Sequence, residues 1–551
     1  MIVSRRNCLK LATSGLVLAS AAAPAVAATA SGPYKAAIGL LKTYLDRHLA
    51  AYSLPGVTVA LADGHGFSTI LTAGWADAER KRPVTPAHYF QIGSISKSLA
   101  SLAVLKLVDE GKLSLDTQIW TLLPEFPIEG PPVTVRHLLT HSSGLASDPP
   151  LAPRTGKLWQ GFTPGSQFSY SNTGFQMLGL IVAKLRGKSY AEALAEDVLG
   201  PLGMIEARSS ILPADRDKHA VGYAPYFPDR TYPRGGRLGF GPVITMTNAA
   251  GCVTATPGAM AVYLKWLIDS GSGKGIPLLS QASRRLFSTP AIEAAEFGAG
   301  AHYALGLAIF PIDERPVLYH TGGMLAYSSA IMVDEAAEVG VFASVNARAE
   351  DSYRPRQVTA YAIRLMRAVK EGKALPPVPQ IRAATKLDDA AKLAGSFRSA
   401  DGKQIELVAA GDGLALWQNG MTLPLQGGDD SFTVVGPGEE TSGLKLDLKD
   451  GVVRSVGWKS DLYGAGAGEI PQALRRCAGL YDGGSPWVGM MEVVARADGL
   501  WLGGTTPLAP LPDGSFRLGS DEWSPERVRF DSDLNGIPQR MLFSGVDLLR
   551  V

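Results

Sequence analysis

Apolar and polar residues recur along the chain with two different periods. In the first two thirds, apolar residues at three- and four-residue steps predict helices, over residues 34–51, 96–110, 173–185, 190–198, 259–269 and 354–369. Short apolar or alternating runs predict strands near both ends of that region, over residues 57–62, 67–75, 317–319, 328–333 and 339–345. The pattern predicts an α+β domain in which one sheet is built from both ends of the region and a helical cluster is inserted between them.

The pattern changes after residue 372. Pro376, Pro377 and Pro379 are typical of a stiff linker, and beyond them short segments alternate with Asp-Gly and Gly-Gly turns. This tail contains a repeat: Gly395–Gly479 and Ser431–Ser515 are each 84 residues apart, and Gly413–Gly499 and Pro424–Pro510 are each 86 apart. We expect a first domain over residues 31–372, a linker over 373–388, and two small antiparallel β-barrel-like repeats over 389–470 and 471–551.

The first 27 residues have the pattern of an export signal. Arg5 and Arg6 form the basic pair of a twin-arginine signal, an Ala-rich apolar stretch follows, and small residues at Ala25 and Ala27 suit cleavage. The apolar stretch is shorter than the ~20 residues that a membrane span requires. We therefore expect a periplasmic or secreted protein with no stable membrane insertion after cleavage.

Charge and cysteine content exclude several classes of partner. The chain has 53 basic and 51 acidic residues, and without the basic Arg5, Arg6 and Lys10 the balance becomes 50 against 51. With no dense basic run after the signal, nucleic acid is not an expected partner. Cys252 and Cys477 are far apart, and although an oxidising periplasm would permit a bridge, they resemble neither a disulfide framework nor a Cys-based zinc site. We expect a small-molecule or short-peptide substrate, no metal and no cofactor.

Candidate chemistry begins at Ser94 and Lys97, in the segment Gly93-Ser94-Ile95-Ser96-Lys97. Ser94 lies at the start of a predicted helix, where unpaired N–H groups favour negative charge. Lys97 follows one turn later, so its amine can reach the Ser94 oxygen. The helix is apolar nearly all round, which predicts burial, and burial lowers the pKa of a lysine and makes it a proton acceptor. A second Ser-x-x-Lys match, at Ser442, has no helical pattern around it and is assigned to a surface strand.

Two further segments carry polar groups suited to catalysis. Tyr170-Ser171-Asn172 follows a turn and precedes a helix, and a tyrosine beside a cationic lysine is expected to have a lowered pKa and to act as a base. Asn172 offers a donor and an acceptor that can orient a substrate amide and hold Lys97. His320-Thr321-Gly322-Gly323 ends a predicted strand, and its glycines permit close approach of a substrate backbone. A backbone N–H near Gly323 could form an oxyanion hole with that of Ser94.

Together the three segments resemble the penicillin-recognising serine hydrolases, which include class C β-lactamases, DD-carboxypeptidases, related esterases and D-aminopeptidases. The stretches at 133–145 and 201–204 are similar to framework stretches of that superfamily, and the resemblance covers about residues 34–370. It implies a β-lactamase/DD-peptidase-like domain, with Ser94, Lys97 and Tyr170 catalytic and Asn172, His320, Gly322 and Gly323 binding substrate. The two β repeats resemble the layout of D-aminopeptidases.

His320 departs from the resemblance, because a β-lactamase or carboxypeptidase of this kind usually has lysine there. Histidine is mostly neutral at pH 7 and binds a substrate carboxylate less well. The sequence therefore favours a serine hydrolase acting on an ester, or on an amide as a D-aminopeptidase does, through a Ser94 acyl-enzyme. The alternatives are a β-lactamase or DD-carboxypeptidase and, from another class, a non-catalytic penicillin-binding sensor or scaffold. We also expect activity to depend on the charge of His320 between pH 5 and 8.

Three further side chains have a possible functional role outside the three catalytic segments. His137 and His141 have the i, i+4 spacing of metal ligands, but no third ligand accompanies them and the resemblance assigns them to the framework. Arg348, which follows the last strand of the domain, is an alternative partner for a substrate carboxylate.

Overall fold

The computed structural model describes most of the chain, over residues 32–154, 156–225, 238–271, 273–348, 354–380, 390–399, 403–410, 413–418, 421–428, 430–435, 441–458, 461–464, 470–485, 487–503 and 506–551. The predicted signal at residues 1–27 and part of the predicted linker lie outside the described residues. Within them, no helix combines the length and the apolar character needed to cross a membrane.

The first domain is built on a nine-stranded antiparallel sheet with the order β3-β2-β1-β14-β13-β12-β11-β10-β9. Its strands and those of two small sheets are β1 (Gly56–Asp63), β2 (Ser68–Asp77), β3 (Arg82–Pro83), β4 (Phe90–Gln91), β5 (Ala207–Arg208), β6 (Tyr223–Pro225), β7 (Leu238–Phe240), β8 (Thr254–Ala255), β9 (Ile292–Glu293), β10 (His302–Tyr303), β11 (Ala308–Ile312), β12 (Arg315–Gly323), β13 (Ser328–Asp334) and β14 (Val339–Val345). Strand β1 pairs with β14, with Val57 opposite Val345. The prediction of one sheet built from both ends is therefore confirmed.

Helices cover both faces of this sheet. They are α1 (Lys35–Tyr52), α2 (Ser96–Asp109), α3 (Ile119–Leu122), α4 (Val135–Leu139), α5 (Asn172–Arg186), α6 (Tyr190–Leu194), α7 (Gly200–Leu202), α8 (Pro257–Gly271), α9 (Gln281–Ser288) and α10 (Arg356–Lys370). Side chains of β1 alternate between two cores because successive strand residues point to opposite faces. Ala60 and Ala62 pack with α2 and α8, whereas Val59 and Leu61 pack with α1 and α10.

Two elements differ from the sequence prediction by more than two residues at a boundary. The helix predicted over 190–198 is α6 followed by a π-helical turn, Ala195–Leu199. Strand β12 does not stop at Tyr319 but continues to Gly323, because residues up to Gly323 pair with β13 as far as Ser328. His320 and the two glycines therefore lie inside a strand and not after it.

The tail folds into two eight-stranded antiparallel units, as the repeat predicts. The first follows α11 (Ala390–Leu393) and contains β15 (Gly395–Arg398), β16 (Gln404–Ala410), β17 (Gly413–Gln418), β18 (Met421–Gly428), β19 (Ser431–Val435), β20 (Thr441–Lys449), β21 (Val452–Trp458) and β22 (Asp461–Gly464). The second follows α12 (Gln472–Arg475) and closes into a barrel of β23 (Gly479–Asp482), β24 (Met490–Arg496), β25 (Gly499–Leu502), β26 (Thr506–Pro510), β27 (Phe516–Leu518), β28 (Arg527–Leu534), β29 (Ile537–Phe543) and β30 (Val546–Arg550). We call them the first and second β units; each has its own core.

Details of the tail agree with the sequence analysis. The second Ser-x-x-Lys match lies in strand β20, as assigned. Cys252 and Cys477 are free and buried, one in the first domain and the other in the second β unit. The fold is thus an α+β domain of sheet and helices followed by two β units.

Candidate active site

Ser94 lies in a 3₁₀ turn, Gly93–Ile95, that leads directly into α2. Gly93 has a φ of +54°, a conformation that glycine adopts without strain. A Cβ atom on Gly93 would lie 2.8 Å from the backbone nitrogen of Gly323, so the turn needs glycine to approach β12 this closely. The nucleophile candidate is therefore held where a helix start meets the end of a central strand.

Lys97 is fully buried and makes three hydrogen bonds. Its Nζ atom lies 3.0 Å from Ser94 Oγ, 2.6 Å from Asn172 Oδ1 and 2.7 Å from the Ala250 carbonyl oxygen. Burial lowers the pKa of Lys97 to about 7, with the carboxylate of Asp148 opposing the effect. Because the amide and carbonyl oxygens only accept hydrogen bonds, a neutral Lys97 amine donates to those two and turns its lone pair to the Ser94 hydroxyl.

Tyr170 completes the group around Ser94. Its hydroxyl hydrogen-bonds Ser94, and its ring centre is 4.8 Å from Lys97 Nζ. The predicted lowering of the Tyr170 pKa is wrong, because burial disfavours the phenolate and raises the pKa despite the hydrogen bond with Ser94. At neutral pH Tyr170 is a phenol that can pass on a proton, while the lowered pKa belongs to Lys97.

Asn172 begins α5 and is held from both sides of its amide. Its Oδ1 accepts from Lys97, and its Nδ2 donates to both carboxylate oxygens of Asp148 at 3.0 and 3.2 Å. Ser171 caps the same helix by accepting from the Gly174 N–H. These bonds fix the orientation of the amide, so that its oxygen faces Lys97.

His320 is only 1% exposed, and both ring nitrogens are hydrogen-bonded within the protein. Its Nδ1 donates to the Thr321 carbonyl at 2.6 Å, so its Nε2 accepts from the Tyr303 hydroxyl at 3.0 Å. Burial, together with the charge of Lys97, lowers the pKa of His320 to about 3. The ring is therefore neutral throughout pH 5 to 8, which contradicts the expectation that its charge changes in that range.

Gly322 and Gly323 form the strand end that faces the Ser94 turn. A Cβ atom on Gly322 would lie 1.8 Å from the Ile92 carbonyl oxygen, so only glycine fits there. A Cβ on Gly323 would lie 2.0 Å from a terminal nitrogen of Arg354. The backbone of this strand end and that of Ser94 are consequently neighbours across a narrow gap.

Several residues of the site have no signal in the sequence analysis. Asp148 and Ala250 lie on loops and are recognised only by their bonds to Asn172 and Lys97. The sequence predicts Arg354 at a helix start, whereas α10 begins at Arg356 and the Arg354 side chain lies over Gly323. Arg348, for which the sequence leaves open a carboxylate partner or a solvated side chain, is exposed, and its backbone N–H donates to the Tyr223 carbonyl.

His137 and His141 use their rings as hydrogen-bond acceptors. His137 Nδ1 accepts from the Thr134 N–H within a capping box at the start of α4. His141 Nδ1 accepts from the Ser171 N–H, and its ring lies 4.2 Å from that of Tyr170. His141 therefore supports the backbone and the ring on which Tyr170 depends.

Comparison with known proteins places this fold and this site in one class. Residues 41–365, more than half of the chain, match the family model described as Beta-lactamase. The chain therefore belongs to the Beta-lactamase family, within the penicillin-recognising serine hydrolases.

Individual relatives have low sequence identity to this chain and match only part of it. Penicillin-binding protein 4* of Bacillus subtilis is 30% identical over 199 residues, 32% of this chain and 43% of that protein. Protein flp of Staphylococcus aureus (strain MRSA252) is 24% identical over 344 residues, 58% of this chain and 64% of that protein. The chain thus spans less than two thirds of the length of either relative. The solved structure of the octameric penicillin-binding protein homologue from Pyrococcus abyssi has a TM-score of 0.53 and 25% identity, covering 77% of this chain and 99% of that one.

Proposed function

We propose that this protein is a serine hydrolase that cleaves an ester or amide bond through an acyl-enzyme on Ser94. The observation that carries the proposal is the contact of a buried lysine, with its pKa lowered to about 7, with the Ser94 hydroxyl at 3.0 Å. An activated nucleophile requires a base within hydrogen-bond reach that is partly neutral at the working pH. Lys97 meets both requirements.

The proposed reaction has two halves. Ser94 Oγ bonds to the carbonyl carbon while its proton moves to Lys97 Nζ, and the oxyanion is held by N–H groups of Ser94 and Gly323. The bond to the leaving oxygen or nitrogen then breaks, as that atom takes a proton from the Tyr170 hydroxyl and Lys97 returns one to Tyr170. Water attacks the acyl-enzyme with the same groups, which releases the acid and restores Ser94.

The state of His320 supports a neutral substrate at the strand end. A neutral ring with both nitrogens bonded inside the protein offers no cation to a substrate carboxylate. The absence of a charge on His320 favours simple esters, or amides such as those of D-amino acids, over β-lactams and peptidoglycan stem peptides, which carry that carboxylate. The Arg354 guanidinium, which lies over Gly323, is the cation that could bind such a carboxylate under the alternative activity. The β-lactamase or DD-carboxypeptidase activity remains the alternative.

The test is hydrolysis by the full-length protein of p-nitrophenyl esters, D-amino-acid amides and cephalosporins. Ser94→Ala is expected to lower kcat by at least about 10³-fold, because nucleophile and base act as a unit. Ser442→Ala, in the second Ser-x-x-Lys match, is the matched control and is expected to retain activity. Residual turnover of Ser94→Ala within a few-fold of wild type would overturn the proposal.

A covalent probe separates catalysis from a sensor function. A fluorescent penicillin that labels Ser94 and is shed slowly, with no turnover of any ester or amide, would indicate a penicillin-binding sensor and contradict the proposed hydrolase. Fast release of the acyl group from p-nitrophenyl esters would support the esterase, and release of ammonia or amine from D-alanyl amides would support the amidase.

We also propose export by the twin-arginine route, on the basis of Arg5 and Arg6 before the apolar stretch. Replacing both arginines by lysine keeps the charge of the segment and removes the arginine pair. The variant is expected to remain in the cytoplasm, and its recovery outside the cytoplasm at the wild-type level would refute the route.

A further inference from the structure

The second β unit contacts the loop that carries Asp148, close to the candidate active site. We propose that Glu526 of this unit is a positioning residue that holds Lys97 in place through Ser147, Asp148 and Asn172. The inference rests on the proposed function, since its readout is turnover through Ser94. On this proposal, the second β unit is a structural part of the candidate active site and not a separate appended domain.

Glu526 lies directly before β28 and is held in place inside its own unit. One carboxylate oxygen accepts a hydrogen bond from the hydroxyl of Ser544, in the turn between β29 and β30. The backbone N–H of Ser544 in turn donates to the Arg527 carbonyl at 2.7 Å, and the Arg527 N–H donates to Ser544 Oγ at 3.2 Å. The other carboxylate oxygen accepts from the Ser147 backbone N–H at 2.7 Å.

The contacts continue from Ser147 to the amine of Lys97. Ser147 Oγ donates to Asp148 at 2.6 Å, and the Ser147 carbonyl accepts from the N–H of Thr173 in α5. The Asp148 carboxylate accepts both bonds from Asn172 Nδ2, and Asn172 Oδ1 accepts from Lys97. Asp148 is itself exposed. Its carboxylate is therefore held in position by these hydrogen bonds and not by burial.

Further contacts hold the rest of the same loop against the second β unit. Trp159 Nε1 donates to the Pro525 carbonyl at 2.7 Å, and the ring of Phe162 meets that of Trp523 edge-on at 5.9 Å. Arg154 forms an ion pair with Asp547 at 3.4 Å, between side chains that are both well exposed. The ion pair lies at the same interface but not next to Asp148, which makes it a matched control.

The charge of Asp148 is the one that acts on Lys97. The other titratable side chains around the amine are neutral at pH 7, because burial raises the pKa of Tyr170 and lowers those of His141 and His320. The Asp148 carboxylate stabilises the ammonium form and raises the pKa of Lys97 against the effect of burial. When Asp148 moves away, the pKa of Lys97 falls and the rise of activity with pH shifts to lower pH.

The experiment compares kcat, KM and the pH profile of full-length variants on the best substrate. Glu526→Ala is expected to lower kcat about 10- to 100-fold, the range expected for a displaced catalytic group, with KM within ~3-fold. The acidic limb of its kcat/KM profile is expected to shift to lower pH. Glu526→Gln keeps an acceptor for Ser147 N–H and is expected to restore most of kcat, whereas Arg154→Ala is expected to match wild type.

A double-mutant cycle tests whether Glu526 acts on Lys97 through Asp148. Asp148→Asn is expected to lower kcat and to shift the limb in the same direction, and adding Glu526→Ala to it is expected to cost little more, because both changes break one series of contacts. Additive losses, or a Glu526→Ala protein with wild-type kcat and pH profile, would overturn the inference.

Two controls keep the outcomes distinct. If Glu526→Ala does not fold, as judged by thermal unfolding, Glu526→Asp tests the same bond, since it keeps the charge but shortens the reach to Ser147. A Glu526→Asp protein with the kcat and pH profile of wild type would then overturn the inference. Activity that survives Ser94→Ala would defeat the proposed function, whereas Ser94-dependent activity that is insensitive to Glu526 would defeat this inference alone.

Discussion

Burial determines which group around Ser94 accepts a proton. Lys97 is fully buried and Tyr170 is partly buried. Burial lowers the pKa of the amine but raises that of the phenol. The amine is therefore the group that changes protonation near neutral pH. The different roles of Lys97 and Tyr170 follow from the charges of their ionised forms. Burial favours the neutral form of both groups, which is the proton-accepting amine of Lys97 and the proton-donating phenol of Tyr170.

We predict that kcat/KM rises with pH through an apparent pKa of about 7. The sign follows from Lys97, which must be neutral to accept the Ser94 proton, so activity is lost as pH falls below its pKa of about 7. His320, with its pKa lowered to about 3, stays neutral over this range. A His320→Asn variant is therefore expected to show the rise of kcat/KM at the same pH as wild type, whatever the maximum value of kcat/KM that it reaches.

The measurement is the initial rate at low substrate concentration from pH 5 to 9. A limb that disappears in His320→Asn would assign the titration to the histidine and contradict the prediction. A rate that is flat from pH 5 to 8 would show that no group with a pKa of about 7 limits acylation.

At the scale of elements, the site depends on how closely β12 approaches the turn before α2. Gly322 allows this approach, because a side chain there would overlap the Ile92 carbonyl. Gly322 is held in β12, and Ile92, between β4 and the Ser94 turn, is held by hydrogen bonds with Val253 and Ile95. Neither backbone segment can therefore move without breaking these bonds. The gap in which a carbonyl oxygen would be held is thus set by the absence of one methyl group.

We predict that Gly322→Ala lowers kcat/KM by about 10²-fold and destabilises the fold by roughly 1–3 kcal/mol, because the methyl group forces β12 away from Ser94. Gly39→Ala is the matched control. Gly39 lies within α1, where a Cβ would meet nothing within 4 Å, and alanine there is expected to stabilise by up to ~1 kcal/mol. Equal activity of the two variants would contradict the prediction.

The helices and strands were largely predictable, whereas the loops that complete the site were not. Apolar periodicity identifies α2 and β14 because their side chains are buried in regular order. The end of β12 was missed because Thr321-Gly322-Gly323 lacks the apolar side chains that indicate a strand, although its backbone pairs with β13. Asp148 and Ala250 act through contacts between distant loops, which no local pattern encodes.

The direction of the Tyr170 pKa shift shows the same limit. The sequence places a tyrosine near a lysine, and the charge of that lysine would lower the tyrosine pKa. Burial acts in the opposite direction and is larger. Its extent depends on side chains contributed by other segments, such as the His141 and Phe297 rings beside Tyr170.

On the scale of the whole molecule, the two β units are alike in topology but differ in what they contact. Each encloses a separate core, with Leu416 fully buried in the first and Leu548 in the second. Glu526 of the second unit bonds the loop beside Asn172. Replacing either leucine by alanine therefore lowers the stability of one β unit by the same change of side chain.

We predict that Leu416→Ala and Leu548→Ala each destabilise their own unit by about 2–5 kcal/mol, the usual cost of a cavity in a core. Only Leu548→Ala is expected to lower kcat at temperatures where its unit begins to open. Calorimetry of the full-length variants, beside activity measured over the same temperatures, checks both statements. Equal sensitivity of kcat to the two substitutions would contradict the second.

The pairing of β1 with β14 has a consequence for synthesis of the chain. Val57 faces Val345, so a strand made early has no partner on that side until almost three hundred further residues have been added. At roughly 5–20 residues per second, the ribosome needs on the order of 15 to 60 s to supply it. During that time the apolar strand is paired only with its hairpin neighbour β2, and the nascent protein is exposed to aggregation before its central sheet can close.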